Sequence, residues 1–444
     1  MARTTTGNRI VILGAGFAGL NAAKSLAGTQ AQITVVDRKN HHVFQPLLYQ
    51  VALAVLSPAE IASPVRTVMR GASNVDVLLG DATGFDLANR IVRIDDLELA
   101  YDYLIVAAGA THAYFGHPEW EQIAPGLKTI EDALEIRRRV LLAFEMAERE
   151  ALAKGRQMDL NFVVIGAGPT GVELAGSISD ISKRYMAHDF RAIDPKRARI
   201  ILLEGGPRVL PAYPNDLSAS AEKQLRQLGV EVRTNAMVTS LEPGCVTIGK
   251  DASAEKLPAT VVLWGAGVSA SPLGKMLGAP LDRAGRVLVE PDLTIPGHPE
   301  IFVIGDLAAV KMKDGADGKE AQFVPGVAPA AIQMGKFAAR QIKRSLKGKP
   351  HQPFHYLDKG SLATIGRSKA VADLGKLHFS GYFAWLAWLF IHLMFLIGFR
   401  NRILVFLEWT WAYITYSQGA RLITGETRPP QIPTPSKPAN PSKS

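Results

Sequence analysis

An α/β fold is predicted: two Rossmann-like units, the second inserted into the first, followed by an α-helical C-terminal region that seeks a membrane. Three observations carry it. The run Gly14-Ala15-Gly16-Phe17-Ala18-Gly19 follows the apolar stretch Ile10–Leu13. A second run, Gly166-Ala167-Gly168-Pro169-Thr170-Gly171, follows Phe162–Ile165. Beyond about Lys376 the composition shifts, and four of the six tryptophans fall between Trp385 and Trp411.

In chain order, the strand Ile10–Leu13 enters the first glycine turn and a helix running through Leu26. A second strand, Gln32 to Val36, ends at Asp37, and the strand Tyr103–Ala108 runs into Gly109. A charged helical stretch, Glu131 to Lys154, leads to the restart of the pattern at Leu160. Strand, turn and helix are followed there by the strand Arg199–Leu203 ending at Glu204, then by Thr260–Trp264 and the turn Gly265-Ala266-Gly267. The strand Ile301–Ile304 with Gly305-Asp306 returns the chain to the first unit, and a helix is expected from Pro329 to Leu346. The expected boundaries are 1–115 with 290–375 for the first unit, 116–289 for the second, 376–425 for the membrane-associated helices, and a disordered tail at 426–444.

Each glycine loop has a physical reading. The first glycine permits the tight turn, the second lets a pyrophosphate approach the backbone, and the third lets helix pack closely on strand. The helix N-terminus then favours the phosphate charge. Asp37 stands where a carboxylate accepts hydrogen bonds from an adenosine ribose, and Glu204 stands in the matching place of the second unit. Glu204 would repel an additional 2′-phosphate and no arginine follows it at once, so NADH is expected over NADPH. Two such loops in one chain imply two dinucleotides held together, the arrangement by which a nicotinamide passes hydride to a flavin. The fold class is therefore two dinucleotide-binding domains, an FAD domain split by an inserted NAD domain, plus a membrane-anchoring helical region. Asp306, at a strand end, can bond the ribityl hydroxyls of FAD or act as a turn residue. Glu173, in the first turn of the second helix, stabilises the helix dipole, faces the nicotinamide ribose and flavin, or does both.

Composition narrows the chemistry. The single cysteine, Cys245, excludes an intrachain disulfide, a CxxC redox pair and an iron–sulfur cluster, so electrons are expected to move through organic cofactors with no metal. The charge of +9 comes without a basic run or an aromatic-basic platform, which points to an anionic membrane surface and away from nucleic acid. Met1 to Asn8 lacks an apolar core, so no secretory signal is expected. Tyr382–Phe399 is at the short edge for a membrane span.

Taken together these residues resemble the two-dinucleotide flavoproteins and, more narrowly, the type II NADH:quinone oxidoreductases. The narrower motifs are Phe44-Gln45-Pro46-Leu47-Leu48-Tyr49-Gln50-Val51-Ala52, Gly168–Ala175, Trp264–Val268, Gly305-Asp306 and Gly398-Phe399-Arg400-Asn401-Arg402. The resemblance implies FAD held by Gly14, Gly16, Gly19, Asp37, Gly109 and Asp306, with Ala328 offering its backbone N–H to the flavin ring. It implies NADH held by Gly166, Gly168, Gly171, Glu173, Glu204 and Gly267. The family's quinone segment, Ala-Gln-x-Ala-x-Gln-x-Gly, reads here Ala328-Pro329-Ala330-Ala331-Ile332-Gln333-Met334-Gly335. Gln333 matches the second glutamine and Pro329 replaces the first. Glu173 and Gln333 are thus the expected catalytic residues, tuning proton movement and quinone placement. The resemblance further implies a homodimer whose C-terminal helices lie in one leaflet, on the cytoplasmic side of the inner membrane, with His392 a packed or interfacial side chain. A sulfide:quinone oxidoreductase needs redox cysteines that are lacking here. A redox-sensing flavoprotein is the alternative from a different functional class.

Overall fold

The computed structural model describes residues 7–313, 322–415, 420–425 and 427. Apart from residue 427, the tail expected at 426–444 lies outside them. The first unit is a six-stranded sheet in the order Thr294–Ile295, His298–Val303, Tyr103–Val106, Arg9–Leu13, Gln32–Asp37, Val75–Leu79. Every pairing is parallel except the first. Ile10, Ile12, Ile105 and Phe302 are fully buried, which is why these strands read as continuous apolar runs rather than alternating ones. The chain leaves Arg9–Leu13 toward Gln32–Asp37 on one side and returns to Tyr103–Val106 on the other. The carboxyl end of Arg9–Leu13 is therefore a topological switch point.

The second unit repeats the plan. Its four parallel strands run Val230–Arg233, Arg199–Leu203, Asn161–Ile165, Val261–Trp264, with the switch point after Asn161–Ile165. The helix entering it, Ile130–Lys154, is capped at Thr129 by a reciprocal bond with Asp132 and stopped by Gly155 at φ 60°. A short ribbon joins the two units: Ala110–His112 pairs antiparallel with Val268–Ala270.

One sheet was not anticipated. Ser361–Gly366, Lys369–Asp373 and His378–Ser380 form an antiparallel meander. The expected boundary at 375 assigned most of it to the first unit. It packs instead on the second unit's helices Pro169–Asp180 and Asn215–Gln227. The approach is so close that a Cβ at Gly176 would strike the carbonyl of Ile365.

The C-terminal helices are Tyr382–Phe395 and Phe399–Thr415, of 14 and 17 residues. No described helix is long and apolar enough to cross a membrane. Their inner faces carry Trp388 and Val405 into the core, while Phe383 and Phe399 are 74% and 77% exposed. Such a concentration of bare aromatics marks an interaction surface. His392 stacks on Trp388 at 4.1 Å between ring centroids, and its Nδ1–H donates to the Trp388 carbonyl at 2.7 Å.

Burial holds the His392 imidazole down at about 4. The unfolded ring takes up its proton near pH ~6.5 and the folded ring does not until far lower, so the unfolded state binds more protons across that interval. The stability gained by keeping His392 neutral is complete above the unfolded value. It falls by at most about 1.4 kcal/mol per pH unit on acidification. Thermal melts of the holoprotein from neutral pH to about pH 5 are expected to shift downward, and His392→Gln to shift less steeply.

Candidate active site

The two glycine loops have the same construction. Gly14 and Gly166 take left-handed φ values of 99° and 93° at the ends of their strands. A Cβ on Gly19 would enter the Gly14 carbonyl, and one on Gly171 the Gly166 carbonyl, so both third glycines serve close helix–strand packing. The middle glycines differ: a Cβ on Gly16 or Gly168 would meet nothing within 4 Å. That bare space lies at the N-termini of helices Phe17–Leu26 and Pro169–Asp180, neither of which is capped by a side chain. Backbone N–H groups and the positive end of each helix dipole remain for an anion there.

Two acids complete the cradles. Asp37 accepts the Ala15 N–H at 2.6 Å on one carboxylate oxygen and the Lys39 N–H at 2.7 Å on the other. Glu204 accepts the Ala167 N–H and the Gly206 N–H, both at 2.7 Å, in the same way. Each carboxylate fixes its loop and keeps lone pairs for ribose hydroxyls. The open middle glycine, uncapped helix end and strand-end acid fit a dinucleotide in both units.

The remaining expected flavin contacts gather on the same sheet edge. Gly109 follows Tyr103–Val106 at φ 65°. Gly305 and Asp306 form a turn after His298–Val303, with Gly305 against Ala18 and Ala331. Lys128 approaches Asp306, Nζ to Oδ2 4.0 Å, a neighbour for which no sequence pattern gave a signal. On the second edge, the Gly265–Gly267 turn abuts the fingerprint, a Cβ on Gly166 falling 2.6 Å from the Ala266 Cα. The interdomain ribbon ties the edges together: Gly109 accepts the Ser271 N–H at 3.2 Å, and the strand after Gly267 pairs with the strand after Gly109. The turns that follow the two sheets are therefore held together.

Helix Ala328–Ser345 packs against the first fingerprint helix and the Gly305–Leu307 turn. Pro329 sits in the first turn, where no intrahelical hydrogen bond is lost, and Ala328 N–H has no intrahelical acceptor. A Cβ on Gly335 would enter the Ala18 carbonyl, so the last glycine of the quinone segment is a packing residue against the first fingerprint helix. Gln333 closes both ends of its amide on Leu357, donating to the carbonyl at 2.9 Å and accepting the N–H at 3.0 Å. Gln333 thereby ties Leu357 to this helix.

Glu173 lies on the helix Pro169–Asp180, which touches the short helix Leu48–Ala52. The residue as a whole keeps some exposure, but its carboxyl is deep enough that burial pushes it well above the usual carboxylate range. Tyr49 and Tyr213 face it electrostatically, and burial raises both phenols. Desolvation is the whole cause of the Glu173 shift, so the site favours its protonated form. Among the described residues no His, Cys, Asp and Glu group could hold a metal ion. Ser345, His351 and Asp292 are linked at 2.6 Å each in the order of a nucleophile–base–acid triad. That trio sits at a helix C-terminus, whose negative dipole end opposes an oxyanion, so it serves to close the helix.

Residues 8–335 match the family model for pyridine nucleotide-disulphide oxidoreductases, and residues 359–415 match that for the NDH2 C-terminal domain. The latter begins where the antiparallel meander does. The chain is 46% identical over 433 residues to the type II NADH:quinone oxidoreductase NdhA of Mycobacterium tuberculosis, covering 94% of this chain and 90% of that protein. It is also 46% identical over 431 residues to Ndh of the same organism, covering 94% and 91%. Among solved structures, NDH2 from Plasmodium falciparum in complex with NADH superimposes with a TM-score of 0.83 at 20% identity, over 94% of this chain and 100% of that one. Sulfide:quinone oxidoreductase from Aquifex aeolicus shares the fold, with a TM-score of 0.69 at 17% identity over 92% and 96%.

Proposed function

We infer the roles of its residues from one premise: this chain belongs to the type II NADH:quinone oxidoreductases. It is a flavoenzyme that transfers electrons from NADH to a quinone. FAD supplies the two-electron acceptor and donor chemistry when bound. The first cradle, with Gly14, Gly16, Gly19, Asp37, Gly109 and Asp306, holds FAD. The second, with Gly166, Gly168, Gly171, Glu204 and Gly267, holds NADH.

What supports the pairing of the two cradles in one reaction is the ribbon Ala110–His112 with Val268–Ala270, which joins the turn at Gly109 to the turn at Gly267. Glu173, whose carboxyl is held toward the protonated form by burial, serves as a proton source for quinone reduction. Gln333 acts as a positioning residue, holding the segment at Leu357 that borders helix Ala328–Ser345. Ala328 N–H, at the positive end of that helix, favours electron-rich character on the flavin ring. The bare aromatics of Tyr382–Phe395 and Phe399–Thr415 lie in one leaflet, on the cytoplasmic side of the inner membrane, and the enzyme works as a homodimer. The domain limits follow the sequence reading, except that 359–380 goes with the C-terminal region.

A sulfide:quinone oxidoreductase would need a redox cysteine pair, and the lone Cys245 sits on the strand Cys245–Ile248 of a peripheral sheet. Steady-state oxidation of NADH by the FAD-loaded protein tests the reading, with and without a water-soluble ubiquinone analogue. Oxidation that depends on quinone is expected. A reduced flavin that quinone leaves unchanged would favour a redox sensor instead.

A further inference from the structure

The motif Phe44–Ala52 sets Phe44 edge-on to Phe17 of the first fingerprint and buries Leu47 to Ala52. Gln50 is buried, and both ends of its amide are engaged. Its Oε1 accepts the indole N–H of Trp409 at 2.7 Å, and its Nε2 donates to the Tyr49 hydroxyl at 2.8 Å. Trp409 belongs to the lipid-facing helix Phe399–Thr415. Its ring lies 5.9 Å from that of Trp388 on the other C-terminal helix, and Trp388 meets the edge of Tyr49 at 6.2 Å. The two lipid-facing helices thus grip Tyr49 and Gln50 from outside.

From inside, the buried Arg137 donates to the carbonyls of Val51 and Leu56, and to that of Ala420 beyond the lipid-facing helices. The Leu48–Ala52 helix carrying this pair rests on the helix that bears Glu173. The buried Tyr49 hydroxyl accepts from Gln50, and Glu173, Asp180 and Thr364 are the other polar groups that act on it.

We propose that Trp409 and Gln50 are positioning residues for quinone reduction: the Trp409 N–H fixes Gln50, and Gln50 orients Tyr49 on the short helix that packs against the Glu173 helix. The seating of the lipid-facing helices is thereby coupled to the acid at the site. This rests on the role assigned to Glu173.

The test uses the FAD-loaded, full-length protein in anaerobic stopped-flow, where the two half-reactions separate. Trp409→Phe removes a single N–H and keeps the aromatic ring, and Gln50→Leu removes both bonds. Flavin content and flavin reduction by NADH are expected to stay within about twofold, while reoxidation by the quinone analogue slows about tenfold in each variant. The double variant should be no slower than Gln50→Leu alone, since both act through one chain of bonds. Equal slowing of both half-reactions, unchanged reoxidation, or additive effects in the double variant would each overturn the proposal. If Gln50→Leu does not retain FAD, Trp409→Phe carries the test by itself. Wild-type protein that is not reoxidised by quinone would overturn the functional reading on which the proposal rests, a result visible before any variant is made.

Discussion

Gly168→Ala is expected to give a folded, flavin-loaded protein on which NADH acts at least about 100-fold less efficiently, close to 2.7 kcal/mol of lost binding in the transition state. The reason is the asymmetry among the glycines of one loop. At Gly168 a methyl group meets nothing within 4 Å, so the protein alone tolerates it. The same space is where a pyrophosphate must approach the helix N-terminus. At Gly171 the methyl would enter the Gly166 carbonyl, so Gly171→Ala should damage the second unit itself. Melting curves and flavin content separate the two. Gly168→Ala should match wild type in both, with the loss confined to the kcat/KM for NADH. Should Gly168→Ala turn over NADH at the wild-type rate, the second loop is not a nucleotide cradle.

The second large effect concerns nucleotide choice. Wild-type protein is expected to prefer NADH over NADPH by at least about 100-fold in kcat/KM, because a 2′-phosphate would be brought against the Glu204 carboxylate. Glu204→Ala should cost NADH about ten- to a hundredfold, since it also releases the Ala167 and Gly206 N–H groups that shape the loop. NADPH should lose far less, because a repulsion disappears along with the loop contacts. The ratio is expected to fall to within about tenfold. Steady-state kinetics with both nucleotides decides it. An undiminished ratio in Glu204→Ala would remove Glu204 from nucleotide recognition.

The fingerprints were legible because turn, helix start and strand-end acid are local features written in consecutive residues. Asp37 and Glu204 were legible as ribose acceptors. Their second task, clamping the loop N–H groups, appears only once the loops are folded. The meander at 361–380 escaped because Ala363, Ala370 and Ala372 carry little strand signal, and its supporting helix lies far back in the chain at Pro169–Asp180. Gln333 was identified as a residue of interest, but its closure on Leu357 depends on a segment that sequence gave no reason to place there. Trp409 and Gln50 are 359 residues apart, so no periodicity or motif could pair them. Lys128 beside Asp306 is hidden for the same reason.

Electrons pass from NADH to the bound flavin and on to quinone. Anaerobic stopped-flow of the FAD-loaded protein tests it most directly: bleaching of the flavin absorbance by NADH in a first mix, and its return on adding the quinone analogue in a second. Both are expected, each fast enough to support steady-state turnover. Flavin that bleaches with NADH and stays bleached in the presence of quinone would contradict it.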